Sequence, residues 1–226
     1  MNPNISSVAA AISEPSRAAM LVCLMDGSVH PASELALAAK IKPQTASFHL
    51  NKLMESNLIC AEKHGRHRYY RLVNNEAAEI VEKLLQLSTP EPVKSLRQAS
   101  EKKAIDYART CYDHLAGHVG VALTTMMIDK GYLEKDDLNF ILTPEGEQLF
   151  TRMEIDLEEA KKKRRAFAKC CLDWTERRYH LAGSLGHALL ERMFELEWLT
   201  RIPGTRAVKV TASGKAGLKE FLSLEL

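Results

Sequence analysis

Apolar residues recur at helical spacing from Pro15 to Met25, where Ala18, Leu21, Val22 and Met25 share a face and Asp26-Gly27 supplies a stop. The segment PASELALAAK (31–40) predicts a second helix, capped by Ser33, with Leu35, Ala36 and Ala39 facing inward. After a break at Ile41-Lys42, Pro43 opens a third helix, where its missing N–H costs nothing. That helix buries Ala46, Leu50, Leu53 and Met54 and turns Gln44, Thr45, Ser47 and His49 the other way. From Leu58 to Val73 the pattern changes to alternation around His64-Gly65-Arg66, a hairpin with glycine at its turn. NNEAAEIVEKLLQL (74–87) returns to helix, with Ile80, Val81, Leu84 and Leu85 as an apolar stripe. STPEP (88–92) ends it, since two prolines in three residues cannot continue a helix.

Charge gives this arrangement a direction. Between Lys40 and Arg71 lie seven lysines and arginines against two glutamates, together with His49, His64 and His67. Such a local excess suits a polyanion, because no large amphipathic face accompanies it to favour a membrane. Helix, turn, helix and basic hairpin compose a winged helix-turn-helix, whose second helix enters the DNA major groove. Gln44 is placed to address adenine, Thr45 and Ser47 to reach bases or phosphates, and His49 to donate to guanine. Lys52, one turn on, meets phosphate, and Lys63, Arg66 and Arg68 of the wing follow the neighbouring backbone or minor groove.

Residues 5–73 resemble the DNA-binding domain of ArsR/SmtB-type bacterial transcriptional repressors. The resemblance rests on a proline and arginine opening the first core helix (Pro15, Arg17), then Glu34-Leu35-Ala36, then Ser47-x-His49-Leu50, then the Gly65-Arg66 wing. It implies a homodimer on a palindromic operator, released from double-stranded DNA by an effector, with helix 76–87 packing on its dimer mate. The Cys-x-Cys motif of many metal-sensing members is replaced here by SVHPASEL, where only His30 and Glu34 could serve as ligands. The Asp and His ligands of the other common sensing position are also missing from 74–87, so metal sensing in this domain is disfavoured.

The 93–226 segment carries an internal repeat. Residues 114–133 align without gaps to 180–199, with nine of twenty positions identical. Each copy follows a Cys-x-Asp (111–113 and 171–173) and precedes a Thr-x-x-Gly (143–146 and 211–214). The reading is helix, short hairpin, helix, twice over (about 106–153 and 166–224), a degenerate winged helix without a basic reading helix. Residues 152–174 are expected as one helix joining the copies, its KKKRR run a solvated face. Gly117, Gly120, Gly183 and Gly186 fall inside the repeated helices, where each costs ~1 kcal/mol relative to alanine, so the helices are expected to cross there. Such a crossing gathers Cys111, Asp113, His114, Cys171, Asp173, Trp174 and His180, the candidate effector site.

Sharper chemistry at that site is less well supported. Cys111, His114 and His118 have metal-ligand spacing on a helix, yet Ser184 replaces His118 in the second copy, so no metal ligands are assigned. Metal or thiol sensing through Cys111, Cys170, Cys171 and His114 is the alternative to a small-molecule effector. A Cys171–His180–Asp173 hydrolase lacks an oxyanion-hole signature, so no catalytic residue and no cofactor are assigned. An enzyme or thiol switch using the winged helix as a protein-binding module is the remote alternative.

The whole chain agrees with these expectations. Its 226 residues, 46% hydrophobic and 27% charged, suffice for two small cores and contain no apolar run of membrane-spanning length. Five scattered cysteines do not form a disulfide framework, and a reducing cytoplasm is expected. The predicted fold class is mainly α with small β hairpins. Residues 1–87 form the DNA-binding domain with its dimerisation helix, 88–92 a linker, and 93–226 an effector or scaffold domain.

Overall fold

A computed structural model describes residues 3–65, 67–89 and 92–226 and divides the chain into two compact units, Met1–Ser88 and Thr89–Leu226. In the first unit α1 (Ile5–Ser13) leads into α2 (Pro15–Cys23), which tightens into a 3-10 turn ending at Gly27, φ 74°. There follow β1 (His30–Pro31), α3 (Ala32–Ala38), α4 (Pro43–Glu55), β2 (Ile59–His64), β3 (His67–Leu72) and α5 (Asn75–Leu87). The strands form one antiparallel sheet in the order β1-β3-β2. Met20, Leu21, Leu24, Leu35, Leu50, Leu53 and Leu72 are essentially solvent-free and make the core beneath it. The helix from Pro43 and the glycine-turned hairpin stand where periodicity placed them. Ser33 does not cap α3: the chain enters from β1, so extended Pro31 occupies the cap and no side chain closes that end. Met54 is only half-buried.

The second unit opens with α6 (Leu96–Tyr107), capped by Ser95. Two copies of one motif follow. The first comprises hairpin β4 (Arg109–Cys111)–β5 (His114–Ala116), α7 (Gly117–Asp129), hairpin β6 (Leu133–Asp136)–β7 (Asn139–Leu142) and α8 (Pro144–Arg152). After α9 (Leu157–Lys162), the second comprises β8 (Lys169–Leu172)–β9 (Tyr179–Ala182), α10 (Gly183–Glu195), β10 (Leu199–Arg201)–β11 (Val208–Val210) and α11 (Ala212–Leu222).

The copies are interlocked. Phe140 N–H donates to the Ala168 carbonyl and Cys170 N–H to the Leu138 carbonyl, each at 2.9 Å, joining β7 to β8. The corresponding pair, Val208 to Ala108 and Thr110 to Arg206, again at 2.9 Å, joins the second copy's later hairpin to the first copy's earlier one. Each later hairpin therefore pairs with the other copy. The Thr-x-x-Gly elements are helix starts: Thr143 and Thr211 accept from the N–H of Gly146 and Gly214, and a Cβ on either glycine would lie 2.2 Å from the Tyr132 or Trp198 carbonyl oxygen.

Three expectations for this unit are corrected. His114-Leu115-Ala116 and Tyr179–Ala182 are strands, so each repeat begins with a hairpin, and its helix starts at Gly117 or Gly183. The glycines do not mark a helix crossing. Gly117 (φ +78°) and Gly183 (φ +81°) make the left-handed step from strand to helix, and Gly120 and Gly186 press on the carbonyls of their own strands, Leu115 and Leu181. Nor is 152–174 one helix: α8 closes over Met153 and left-handed Glu154 (φ 58°), and Cys170 and Cys171 stand on a strand. Of the KKKRR run, residues 161–164 are exposed, while Arg165 pairs with Asp113.

Candidate functional site

On α4, Ala46, Leu50 and Leu53 have no exposed surface, whereas Gln44, Thr45, Ser47 and Lys52 are exposed. Ser47 Oγ donates to the Pro43 carbonyl at 3.1 Å, and Lys52 Nζ lies 2.7 Å from Glu55. Lys63 and Arg68 are exposed cross-strand partners in the β2–β3 ladder. Like charges directly opposite one another destabilise a hairpin, so this pair concentrates positive charge on the wing without a fold-stabilising return. Arg66, also expected in the wing, lies outside the described residues.

His49 departs from expectation. Its side chain is 12% exposed, with Nδ1 3.4 Å from Glu14 and 3.2 Å from Arg17 Nη1. Arg17 also donates to the Ala10 and Ala11 carbonyls, so the pair fastens α4 to the end of α1 and is not turned outward to guanine. Phe48 was not singled out by sequence: it is 58% exposed on the polar side of α4. An apolar residue within a polar face was the available signal.

Over all 226 residues, and over the full length of both proteins, the chain is 54% identical to the HTH-type transcriptional regulator YdfF of Bacillus subtilis (strain 168). The chain belongs to the HTH-type transcriptional regulators. Solved structures overlap the regulator only in part. HlyU from Vibrio cholerae N16961 is 22% identical over 38% of this chain and 97% of its own, with a TM-score of 0.35. The cadmium metal-sensor CMTR from Mycobacterium tuberculosis is 28% identical over 41% of this chain and 100% of its own, with a TM-score of 0.32. No family model matches.

The second unit gathers most of the residues proposed for an effector, through strands and not through crossing helices. In the β4–β5 ladder Cys111 faces His114, and in β8–β9 Cys171 faces His180. The two hairpins bring the Sγ atoms to 4.0 Å and stack the imidazoles with centroids 5.1 Å apart. Cys111, His114 and His180 are buried and Cys171 is half-buried. His118 is not among them; it stacks on Tyr107.

Each histidine has a carboxylate at its back. Asp113 Oδ1 is 3.4 Å from His114 Nδ1, and Asp113 also pairs with Arg165. Asp173 Oδ2 is 3.6 Å from His180 Nδ1. Burial alone would raise the Asp113 carboxyl, but His114 and Arg165 outweigh it and hold it below the ordinary range. Burial disfavours a charged His114, yet the Cys111 sulfur and Asp113 push it up to about 10. His180 is driven well below its ordinary value by burial and by charge on His114.

Asp173 has a second task that sequence reasoning missed. It forms a 2.8 Å ion pair with Arg109, both side chains completely buried, and accepts from the N–H groups of Gly117, Thr175 and Glu176. Burial raises its carboxyl and Arg109 reverses the effect, holding it well below the carboxylate range. Trp174 is also drawn in, with the Arg109 guanidinium 4.5 Å from its ring centroid. Asp173 and Trp174 are therefore committed to a structural lock. A lone arginine between Ala108 and Thr110 carries no periodic signal, so Arg109 was invisible.

Proposed function

We propose that this regulator is a cytoplasmic homodimeric repressor of the ArsR/SmtB type, which reads a palindromic operator through α4 and receives its signal in the second unit. The reading rests on the division of α4. Gln44, Thr45, Ser47 and Phe48 stand free of the core on one side, and the Lys63–Arg68 pair projects from the wing. Side chains near the start of a recognition helix face base edges, while lysine and arginine on a hairpin supply sequence-independent affinity. Dimerisation through α5 is supported by Ile80, Leu84 and Leu87, which are 44%, 40% and 85% exposed at one face of a helix whose other face buries Ala77, Ala78 and Val81.

The test is titration of the full chain into labelled duplex carrying the palindrome upstream of its own gene, with sedimentation of the complex. The expected result is two chains per duplex and binding that weakens steeply as salt rises. Equal affinity for palindrome and scrambled duplex would overturn it.

A further inference from the structure

We propose that Cys111, His114, Cys171 and His180 form a closed tetrahedral site for one zinc-class ion, which staples the two repeats together. The proposal deepens the effector reading above and rests on it only for the consequence at DNA. The site itself stands on the geometry of the second unit and uses neither His30 nor Glu34.

One donor atom from each of the four residues lies within 4.8 Å of the other three. Tetrahedral zinc with bonds of ~2.3 Å to sulfur and ~2.0 Å to nitrogen needs donor separations of ~3.3–3.8 Å. The observed Sγ–Sγ distance of 4.0 Å already approaches that, and small side-chain rotations close the remainder. Two sulfurs and two imidazoles in this arrangement select zinc over harder ions such as magnesium or calcium.

Unsatisfied donors point the same way. His114 Nε2 and His180 Nε2 are buried with no hydrogen-bond partner, a costly condition that an ion would relieve. His114 Nδ1 is hydrogen-bonded to Asp113 at 3.4 Å, which is how carboxylates orient metal-bound histidines, whereas His180 Nδ1, 3.6 Å from Asp173, has no hydrogen-bond partner. Asp173 is itself held by Arg109 and places a fixed negative charge beside the His180 ring.

The repeat supplies the logic. Each copy gives one cysteine and one histidine, as a cross-strand pair, so neither copy alone holds a closed site. Binding releases to solvent the protons that the two cysteine–histidine pairs hold, the one on His114 included, and two thiolates, two neutral imidazoles and Zn2+ then sum to no net charge in a buried place. All four positions are filled by protein, leaving none for substrate, so the site is structural or sensory and not catalytic.

The full chain, reduced and stripped with chelator, is titrated with Zn2+ and separately with Co2+, following uptake by native mass spectrometry and the visible absorption of tetrahedral cobalt thiolate. One ion per chain is expected, with thermal unfolding raised by roughly 5 °C or more. Cys171→Ser, nearly isosteric and only half-buried in the parent, should lose affinity ~100-fold or more, while Cys60→Ser retains it. No uptake by the reduced parent chain, or unchanged affinity in folded Cys171→Ser, overturns the site. Loss of thiol hydrogens to a Cys111–Cys171 disulfide in place of uptake also overturns it. The same samples are titrated with operator DNA, where loading should weaken binding ~5–150-fold. Uptake without that change would overturn the ion as effector, whereas failure to bind operator in either state would overturn the regulatory reading and leave the site standing.

Discussion

Replacing Gly117, Gly120 and Gly131 singly by alanine separates two costs that the repeat combines at its strand-to-helix junction. Gly117 has φ +78°, and a Cβ there would lie 2.8 Å from the Asp106 carbonyl oxygen and 3.1 Å from that of Tyr107. Left-handed backbone costs an L-residue ~1–2 kcal/mol. Overpacking against backbone adds ~1–3 kcal/mol. Stiffening the unfolded chain returns ~0.4–1 kcal/mol, so the net loss for Gly117→Ala is ~1–5 kcal/mol. Gly131 has φ +72° with nothing within 4 Å of its Cβ, so only the backbone cost applies and the loss should stay under ~1.5 kcal/mol. Gly120 is ordinary helix, but its Cβ would meet the Leu115 carbonyl oxygen at 2.5 Å, so only the steric cost of ~1–3 kcal/mol applies, less ~1 kcal/mol of helix propensity. Urea unfolding followed by tryptophan fluorescence measures all three, because Trp174 and Trp198 both lie in the second unit. Gly117→Ala should show the largest fall in midpoint at unchanged slope. If it unfolds no more readily than Gly131→Ala, the close approach to residues 106 and 107 is wrong.

Other expectations follow from the same geometry. Arg109→Met leaves Asp173 buried and unpaired, and should cost ~3–5 kcal/mol by urea unfolding; a loss under ~1 kcal/mol would mean that the pair is solvated. Ile80→Glu with Leu84→Glu should yield folded monomers by sedimentation, and persistence of the dimer would place the interface elsewhere. His30 lies 2.9 Å from Asp26 and 2.7 Å from Glu34, and its pKa is raised chiefly by the Asp26 hydrogen bond, with burial opposing. That contribution to stability is complete below the unfolded value of ~6.5 and is lost as pH rises through the folded one. Asp26→Asn should flatten this loss, and a His30 titrating at or below ~6.5 by NMR would contradict it.

The first unit was readable because its elements are long or punctuated. Pro43, Gly27 and the glycine-turned hairpin each mark a boundary through backbone chemistry, and the α4 stripe carries three buried residues, Ala46, Leu50 and Leu53. The division of α4 into buried and exposed sides was legible for the same reason, although the role of His49 depended on Arg17 and Glu14, some thirty residues away. The second unit was readable as a repeat and misread in detail. His-Leu-Ala is too short for alternation to be told from helix, so strands β5 and β9 were merged into α7 and α10. Their glycines consequently looked interior when two of them are first residues. The break after α8 relies on Glu154 in left-handed backbone, where no glycine gives notice. The cysteines and histidines do come together, but on strands where helices were expected. Helical spacing offered His118, which the second copy's Ser184 excluded, whereas cross-strand pairing unites Cys111 with His114 and Cys171 with His180.

The central claim, that α4 reads sequence, is tested most directly by the ratio of affinities for operator and scrambled duplex, measured by fluorescence anisotropy at several salt concentrations. The parent chain should prefer operator by ~10³-fold or more. Gln44→Ala with Ser47→Ala should reduce that ratio by ~1–3 kcal/mol for each base edge no longer read. Lys63→Ala with Arg68→Ala should weaken both duplexes equally and flatten the salt dependence by about 0.9 in log–log slope for each phosphate no longer neutralised. A ratio left unchanged by the α4 pair would contradict the account.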